Sequence, residues 1–158
     1  MITLTRTDSK NSDFIRLVRL LDADLAARDG DEHAFYSQFN KIDMLKHVIV
    51  AYVDGDAAGC GAIKEFSPGV MEVKRMFTSA GYRGQGIAGE VLAALEAWAA
   101  ELSNEKCILE TGKKQAEAIR LYEKSGYKVT PNYGQYAGVE GSICFEKEIV
   151  TGGPGKMA

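Results

Sequence analysis

The segment from Val73 to Gly89 brings backbone donors and a cation together where they could bind phosphate. It runs from an apolar strand through a glycine-rich turn into an apolar helix. The N–H groups of such a turn and the first N–H groups of the helix lack partners within the chain, so they form an anion site. Gly84 and Gly86 allow close approach of the main chain, and Arg83 adds a fixed positive charge. The segment therefore predicts a diphosphate site rather than a tight connection alone.

The same glycines satisfy the G-x-G-x-x-G pattern of dinucleotide-binding folds, from Gly84 to Gly89, with Glu110 21 residues further on. In those folds the strand runs directly into the first glycine, whereas here the residues from Ser79 to Arg83 intervene and do not resemble a strand. Such a turn also opens the first βαβ unit, and here helices and hairpins precede it. Nicotinamide binding is therefore disfavoured, and the ATP-type motif G-x-x-x-x-G-K-S/T is absent.

Thiol and metal chemistry have little support. The cysteines, Cys60, Cys107 and Cys144, have no C-x-x-C spacing, and each lies in an apolar stretch. His33 and His47 complete no recognisable arrangement for a cysteine nucleophile or a zinc ion. We therefore expect reduced core cysteines and no metal.

Hydrophobic periodicity and turn residues predict the elements that position these groups. The predicted strands cover residues 2–7, 48–53, 57–66, 70–78, 107–111, 127–130 and 141–149, and the predicted helices cover 12–29, 31–43, 84–103 and 115–124. Ser12 is the predicted cap of the first helix, and Asp54-Gly55 predicts a hairpin turn. Gly126 is the predicted C-terminal cap of the last helix. This order implies an α/β (α+β) fold with a mixed, mostly antiparallel sheet of about seven strands and about four helices.

Composition limits the function classes. With 158 residues and 46% apolar residues, the chain fits one domain, residues 1–150, followed by a Gly/Pro-rich tail, residues 151–158. The net charge of −3 lacks the basic excess of nucleic-acid-binding proteins. No membrane-spanning run or export pattern is found, so a cytoplasmic protein with small-molecule partners is expected.

Two motifs resemble signatures of the GNAT N-acetyltransferase superfamily. The segment Arg83-Gly84-Gln85-Gly86-Ile87-Ala88 is similar to its pyrophosphate-binding signature, Gln/Arg-x-x-Gly-x-Gly/Ala. The segment from Ala118 to Tyr127 is similar to its second signature, A-x-x-L-Y-x-x-x-G-F/Y. The predicted element order is also that of the family, and the resemblance covers about residues 2–149. It implies a single-domain GNAT-like fold with acetyl-coenzyme A (acetyl-CoA) as the acetyl donor.

The resemblance also implies roles for individual residues. Backbone groups of Met76, Phe77 and Thr78 would bind the pantetheine arm and the acetyl carbonyl. The diphosphate contacts would come from the turn and the helix start: Gly81, Arg83, Gly84, Gln85, Gly86, Ile87 and Ala88. Gln115 stands where many family members have asparagine, which changes one cofactor contact. Tyr122 matches the tyrosine that points at the thioester sulfur, so it is the candidate general acid and a cofactor contact.

Glu72 and Glu110 are the candidate general bases. Glu72 lies on the strand that begins at Val70, and Glu110 lies at the end of the strand predicted to neighbour it. A carboxylate near an apolar cleft acquires a raised pKa, which suits a base. Glu72 could equally pair with Lys74 or Arg75 on a solvated face, so the sequence leaves the base open.

The residues that would bind the acceptor amine are the part of the site that the sequence defines least. Residues 22–43 contain six acidic and two basic residues, which suits an amine but also an ordinary solvated helix. Phe35, Tyr133 and Tyr136 could form a lip over the acceptor, or could pack the last hairpin.

The sequence favours an N-acetyltransferase in which a primary amine of a small molecule attacks acetyl-CoA directly in a ternary complex. The alternative is a coenzyme A (CoA)-binding regulatory module that keeps the fold without turnover. The sequence leaves the oligomeric state open, with a homodimer among the options.

Overall fold

The computed structural model of the chain describes residues 1–29 and 44–149. Its helices and strands are β1 (Ile2–Thr7), α1 (Ser12–Asp29), β2 (His47–Val53), β3 (Asp56–Ser67), β4 (Val70–Thr78), α2 (Ile87–Glu101), β5 (Lys106–Gly112), α3 (Ala116–Lys124), β6 (Lys128–Thr130) and β7 (Ser142–Glu148). Short 3₁₀ turns lie at Ala80–Tyr82 and Gly134–Tyr136. The predicted helix at 31–43 and the tail at 151–158 lie outside the described residues. Within those residues, no helix has the length and apolar character needed to cross a membrane.

The seven strands are hydrogen-bonded in the order β1-β2-β3-β4-β5-β7-β6. The β1–β2, β2–β3, β5–β7 and β6–β7 pairs are antiparallel, and β4 and β5 are parallel, connected through α2. At the β2–β3 turn, Asp54 and Gly55 have φ values of 49° and 90°, as a tight hairpin of this type requires. The predicted mixed sheet with a parallel crossover is therefore confirmed.

The chain divides into two compact units. The first unit comprises Met1–Lys64 and Val73–Leu95, and the second comprises Glu65–Glu72 and Glu96–Ala158. The glycine-rich turn belongs to the first unit, and the candidate groups Glu72, Glu110 and Tyr122 belong to the second.

The first unit has its core between α1 and the strands. The apolar stripe of α1, which includes Phe14, Leu17 and Val18, packs with Val48, Val50 and Cys60. The predicted cap Ser12 is wrong, because the backbone N–H of Phe14 donates to Asn11 Oδ1 at 2.9 Å. Asparagine caps helices as well as serine does, so the helix takes its cap one residue earlier.

Two glycines let α2 lie close to the strands of the first unit. A Cβ atom at Gly59 would lie 3.0 Å from Ile87 Cγ2 and 3.0 Å from the Phe77 carbonyl oxygen. A Cβ atom at Gly61 would lie 2.5 Å from Met76 Sδ. A Cβ at Gly61 would force Met76 of β4 and Leu95 of α2 to shift. One at Gly59 would press on the Phe77 backbone as well as on Ile87, so both positions favour glycine.

The second unit packs α3 against one face of β5 and β7. Tyr122 of α3 contacts Phe145 of β7, with ring centroids 6.0 Å apart, and Tyr127 closes the cluster at 5.9 Å from Tyr122. Gly126 has a φ of 94°, which confirms the predicted C-terminal cap of α3.

The three cysteines are buried and free, as predicted. Burial raises the pKa of the Cys60 thiol to about 12, and it raises that of Cys107 to about 12 as well. Neither thiol is therefore an available nucleophile at neutral pH. Among the described residues, no His, Cys, Asp and Glu cluster could hold a metal ion.

Candidate active site

The glycine-rich turn ends β4 and begins α2 in the first unit. The helix starts at Ile87 rather than at Gly84, so the predicted start is wrong. Gly84 and Gly86 have φ values of 83° and 80°, which is left-handed backbone that cannot belong to a right-handed helix. The sequence pattern did not distinguish these two glycines from helical residues.

The turn leaves open space above its backbone. A Cβ atom added at Gly81, Gly84 or Gly86 would meet no atom within 4 Å. Glu90 N–H donates to the Gly86 carbonyl at 3.1 Å and closes the first turn of α2. The N–H groups of Ile87, Ala88 and Gly89 precede that bond, so they are the helix donors that a ligand can use. Open space beside these donors leaves room for a large anion such as a diphosphate.

Arg83 lies beside this turn with its guanidinium held in place. Its Nε donates to the Thr78 carbonyl at 2.9 Å, and the guanidinium carbon lies 5.7 Å from the centre of the Phe77 ring. A longer contact of 3.8 Å joins its Nη2 to Asp24 Oδ2. Since 41% of the side chain is exposed, the held cation still faces solvent, where it can contribute charge to an anion.

The strand β4 contains one residue with left-handed backbone, which the sequence did not reveal. Arg75 has a φ of 61° in the middle of the strand, although it is not glycine. Its buried guanidinium donates from Nη2 to Asp22 Oδ1 of α1 at 3.0 Å, and its carbonyl accepts a bond from Cys60 Sγ at 3.5 Å. This left-handed residue lies immediately before Met76, Phe77 and Thr78, the predicted pantetheine contacts.

Thr78 completes the described polar groups beside the turn. Its Oγ1 is buried and has no hydrogen-bond partner among the described residues. A buried hydroxyl without a partner costs about 1–3 kcal/mol, which a hydrogen-bonding ligand would recover. This atom, the open turn and Arg83 together fit the phosphate and pantetheine portions of an acyl-CoA.

In the second unit, α3 carries the candidate acid and one predicted cofactor contact. Burial, followed by the charge of Glu110, raises the pKa of Tyr122, so its hydroxyl keeps its proton at neutral pH. Gln115 lies at the N-terminal end of the helix, is buried, and accepts the Ile119 N–H through its carbonyl at 3.0 Å.

The two candidate bases lie on the same face of the sheet. Glu72 is in register with Ile108, and Glu110 is opposite Cys144. Because side chains alternate along a strand, Glu72, Ile108 and Glu110 point to one face, while Leu109 and Phe145 point to the face covered by α3. The Tyr122 ring packs on Phe145 on the α3 face, and Tyr122 is still affected by the charge of Glu110.

Each carboxylate accepts a bond from a hydroxyl. Tyr133 donates to Glu72 Oε2 at 2.8 Å, and Ser142 donates to Glu110 Oε2 at 2.6 Å. The solvated face of the predicted alternative does not fit the burial of Glu72, because only 7% of Glu72 is exposed.

Of the predicted acceptor contacts, Tyr133 and Tyr136 lie next to the carboxylates. Tyr133 packs edge-on against Phe66 at 5.0 Å and against Tyr136 at 5.9 Å. Tyr136 is buried, so it packs against Tyr133 rather than reaching solvent. Phe35 lies outside the described residues, and acceptor binding by these aromatic residues stays a prediction.

Sequence reasoning missed Asn132 and Ser142. Asn132 Nδ2 donates to the Val139 carbonyl at 3.0 Å and to the Ser142 carbonyl at 3.1 Å, so it ties the segment between β6 and β7 together. The sequence offered only a polar, glycine-bearing connection there. Both residues also line an open groove of about 530 Å³ that includes Lys113, Val129 and Ile143.

The family of the chain follows from comparison with known proteins. Residues 14–127 match the model of the "Acetyltransferase (GNAT) family". A relative from Azospirillum brasilense, named "IAA acetyltransferase", is 30% identical over 152 residues, which is 94% of this chain and 98% of the relative. This chain therefore belongs to the GNAT acetyltransferase family.

Solved structures share the fold. A candidate acyl-CoA N-acyltransferase from Klebsiella pneumoniae has a TM-score of 0.80 and 30% identity, covering 94% of this chain and 98% of that one. A GNAT acetyltransferase from Elizabethkingia anophelis with acetyl-CoA bound has a TM-score of 0.66 and 17% identity, covering 94% and 98%. These two structures confirm the predicted GNAT-like fold.

Proposed function

We propose that this protein is an N-acetyltransferase that moves acetyl from acetyl-CoA to a primary amine of a small molecule in a ternary complex. The observation that carries the donor assignment is the open glycine turn beside the α2 N-terminus. Its left-handed glycines, its free helix donors and Arg83 suit a diphosphate, and the unpartnered Thr78 hydroxyl suits the adjoining arm of CoA. Family members with acetyl-CoA bound support the same donor.

The reaction needs one base and one acid. The amine nitrogen forms a bond to the acetyl carbonyl carbon, a carboxylate takes a proton from nitrogen, and the C–S bond breaks with its electron pair on sulfur. Glu72 and Glu110 are the available carboxylates, since each is oriented by a hydroxyl donor. Tyr122 would donate its proton to the leaving sulfur and regain one from solvent, while the carboxylate releases the proton that it took from nitrogen. Its raised pKa keeps it protonated before the reaction.

Direct attack, rather than a covalent acetyl-enzyme, is supported by the cysteines. All three are buried, and the raised pKa of Cys60 and of Cys107 leaves them as thiols. A nucleophilic thiolate would need the opposite environment, with exposure and a neighbouring cation.

The proposal is tested by incubating the protein with acetyl-CoA and a panel of amines, amino acids, aminoglycosides and peptides. We expect release of CoA thiol that depends on one class of amine, with an equal amount of N-acetyl product by mass spectrometry. Binding of CoA without turnover on every amine would contradict the proposal and favour the regulatory module instead.

A further inference from the structure

One short segment supplies a hydroxyl donor to each candidate carboxylate. This segment comprises residues 131–141 between β6 and β7 together with Ser142, the first residue of β7, and it brings Tyr133 to Glu72 and Ser142 to Glu110. The two side-chain bonds of Asn132 hold the ends of this segment at a fixed separation. The segment therefore sets the geometry of both carboxylates.

The two carboxylates are held differently. Tyr133 is fixed between Phe66 and Tyr136, with ring centroids 5.0 and 5.9 Å away, so its hydroxyl has little freedom to leave Glu72. Glu72 is also the more buried carboxylate, at 7% exposure, whereas Glu110 is only partly buried and meets a small serine hydroxyl. The packing of Tyr133 thus fixes the orientation of Glu72.

We propose that Tyr133 is a positioning residue that holds Glu72 in the orientation of the general base for the acceptor amine. This inference rests on the proposed N-acetyl transfer. A hydroxyl that donates to a carboxylate favours its ionised form, which is the form that accepts a proton. A carboxylate has about four acceptor positions, so a hydroxyl bond at Oε2 is compatible with proton acceptance by the same group.

Three titratable groups that are affected by the charge of Glu72, namely Tyr133, Tyr136 and Cys144, stay neutral near pH 7. Burial, and after it the charge of Glu72, raises the pKa of Tyr133. Burial is also the main reason why the pKa values of Tyr136 and Cys144 are raised, with the charges of Glu110 and Glu72 adding to it. None of these three groups therefore changes its charge below pH 7.

The test compares Tyr133→Phe with wild-type protein over pH 5–9, using an amine that the wild type acetylates. Removing a hydrogen bond to a charged group should lower kcat/KM by about tenfold or more and move the acidic limb to higher pH. The CoA-induced rise in melting temperature should stay unchanged, because Tyr133 does not belong to the glycine turn.

The chain offers a matched control, Tyr52→Phe. Tyr52 donates to Asp13 Oδ2 at 2.8 Å, which is the same chemistry and length outside the candidate site. This variant should keep the wild-type pH profile. Glu72→Gln, which keeps the size of the side chain but cannot take the proton, should lose turnover while retaining CoA binding, and it serves if Tyr133→Phe does not fold.

The outcomes separate the inference from the proposed function. Wild-type kinetics in Tyr133→Phe or in Glu72→Gln would overturn the role of this pair while N-acetyl transfer stands. A shifted acidic limb in Ser142→Ala, with none in Tyr133→Phe, would assign the base to Glu110 and overturn it too. Absence of wild-type turnover on every amine would overturn the proposed function itself, and this inference with it.

Discussion

The substitution Gly86→Asp tests the proposed diphosphate site most specifically, because it adds a negative charge there. Gly86 has a φ of 80°, and a Cβ atom there would meet nothing within 4 Å, so the new side chain fits sterically. Left-handed backbone costs a non-glycine residue about 1–2 kcal/mol of folding stability. The carboxylate would project into the space where we place the diphosphate.

The expected loss of affinity follows from electrostatics. Two like charges about 5 Å apart repel by roughly 3 kcal/mol at an effective dielectric constant of 20, which raises Kd about a hundredfold. At a CoA concentration of a hundred times the wild-type Kd, binding stabilises the wild type by about 2.7 kcal/mol and the variant by about 0.4 kcal/mol. In a protein of this size, the melting shift should fall from roughly 5–10 °C to about 1 °C.

The assay is thermal unfolding with and without CoA, and Gly69→Asp is its control. Gly69 has a φ of 81° and equally open surroundings, but it lies in the turn before β4. Both variants should therefore lose similar stability without ligand, and only Gly86→Asp should lose the ligand-induced shift. A full CoA shift in Gly86→Asp, or an equal loss in Gly69→Asp, would refute the assignment of the diphosphate to this turn.

Three further predictions concern the acid, the first helix and the core. Tyr122→Phe should lower kcat by roughly 10²-fold with an unchanged CoA-induced melting shift, and wild-type turnover would remove Tyr122 from the mechanism. Asn11→Ala should cost about 1 kcal/mol in urea unfolding, while Ser12→Ala should cost much less; the reverse order would contradict the cap assignment. Gly61→Ala should cost about 1–3 kcal/mol in the same experiment because its Cβ would lie 2.9 Å from Leu95 Cδ1 of α2 as well as 2.5 Å from Met76 Sδ, and an unchanged midpoint would mean that α2 is not packed as described.

The elements of the fold were largely predictable because their signals are local. Alternation and turn residues gave β1 and β4 with the bounds that the structure has, and periodicity gave α1 and α3 to within one residue. The start of α2 was misplaced by three residues, since glycine in a turn and glycine in a helix look alike until φ is known. The left-handed Arg75 was not predictable, as arginine carries no preference for that backbone.

The candidate site was predictable in its residue types but not in its contacts. The glycine turn, Tyr122 and both glutamates follow from motifs and strand positions. The bond between Tyr133 and Glu72 joins residues that are 61 positions apart, and it depends on how the segment between β6 and β7 folds back over β4 and β5. No periodic pattern in the sequence encodes this long-range contact. Only the structure revealed which hydroxyl donates to which carboxylate.

The most direct test of the account is a titration of ¹⁵N-labelled protein with acetyl-CoA, followed by amide resonances. We predict that the largest shifts fall on the backbone N–H groups from Arg83 to Gly89, because these are the donors that would meet the two phosphates. Saturating acetyl-CoA that leaves these amides unmoved, or that shifts only amides elsewhere in the chain, would contradict the account.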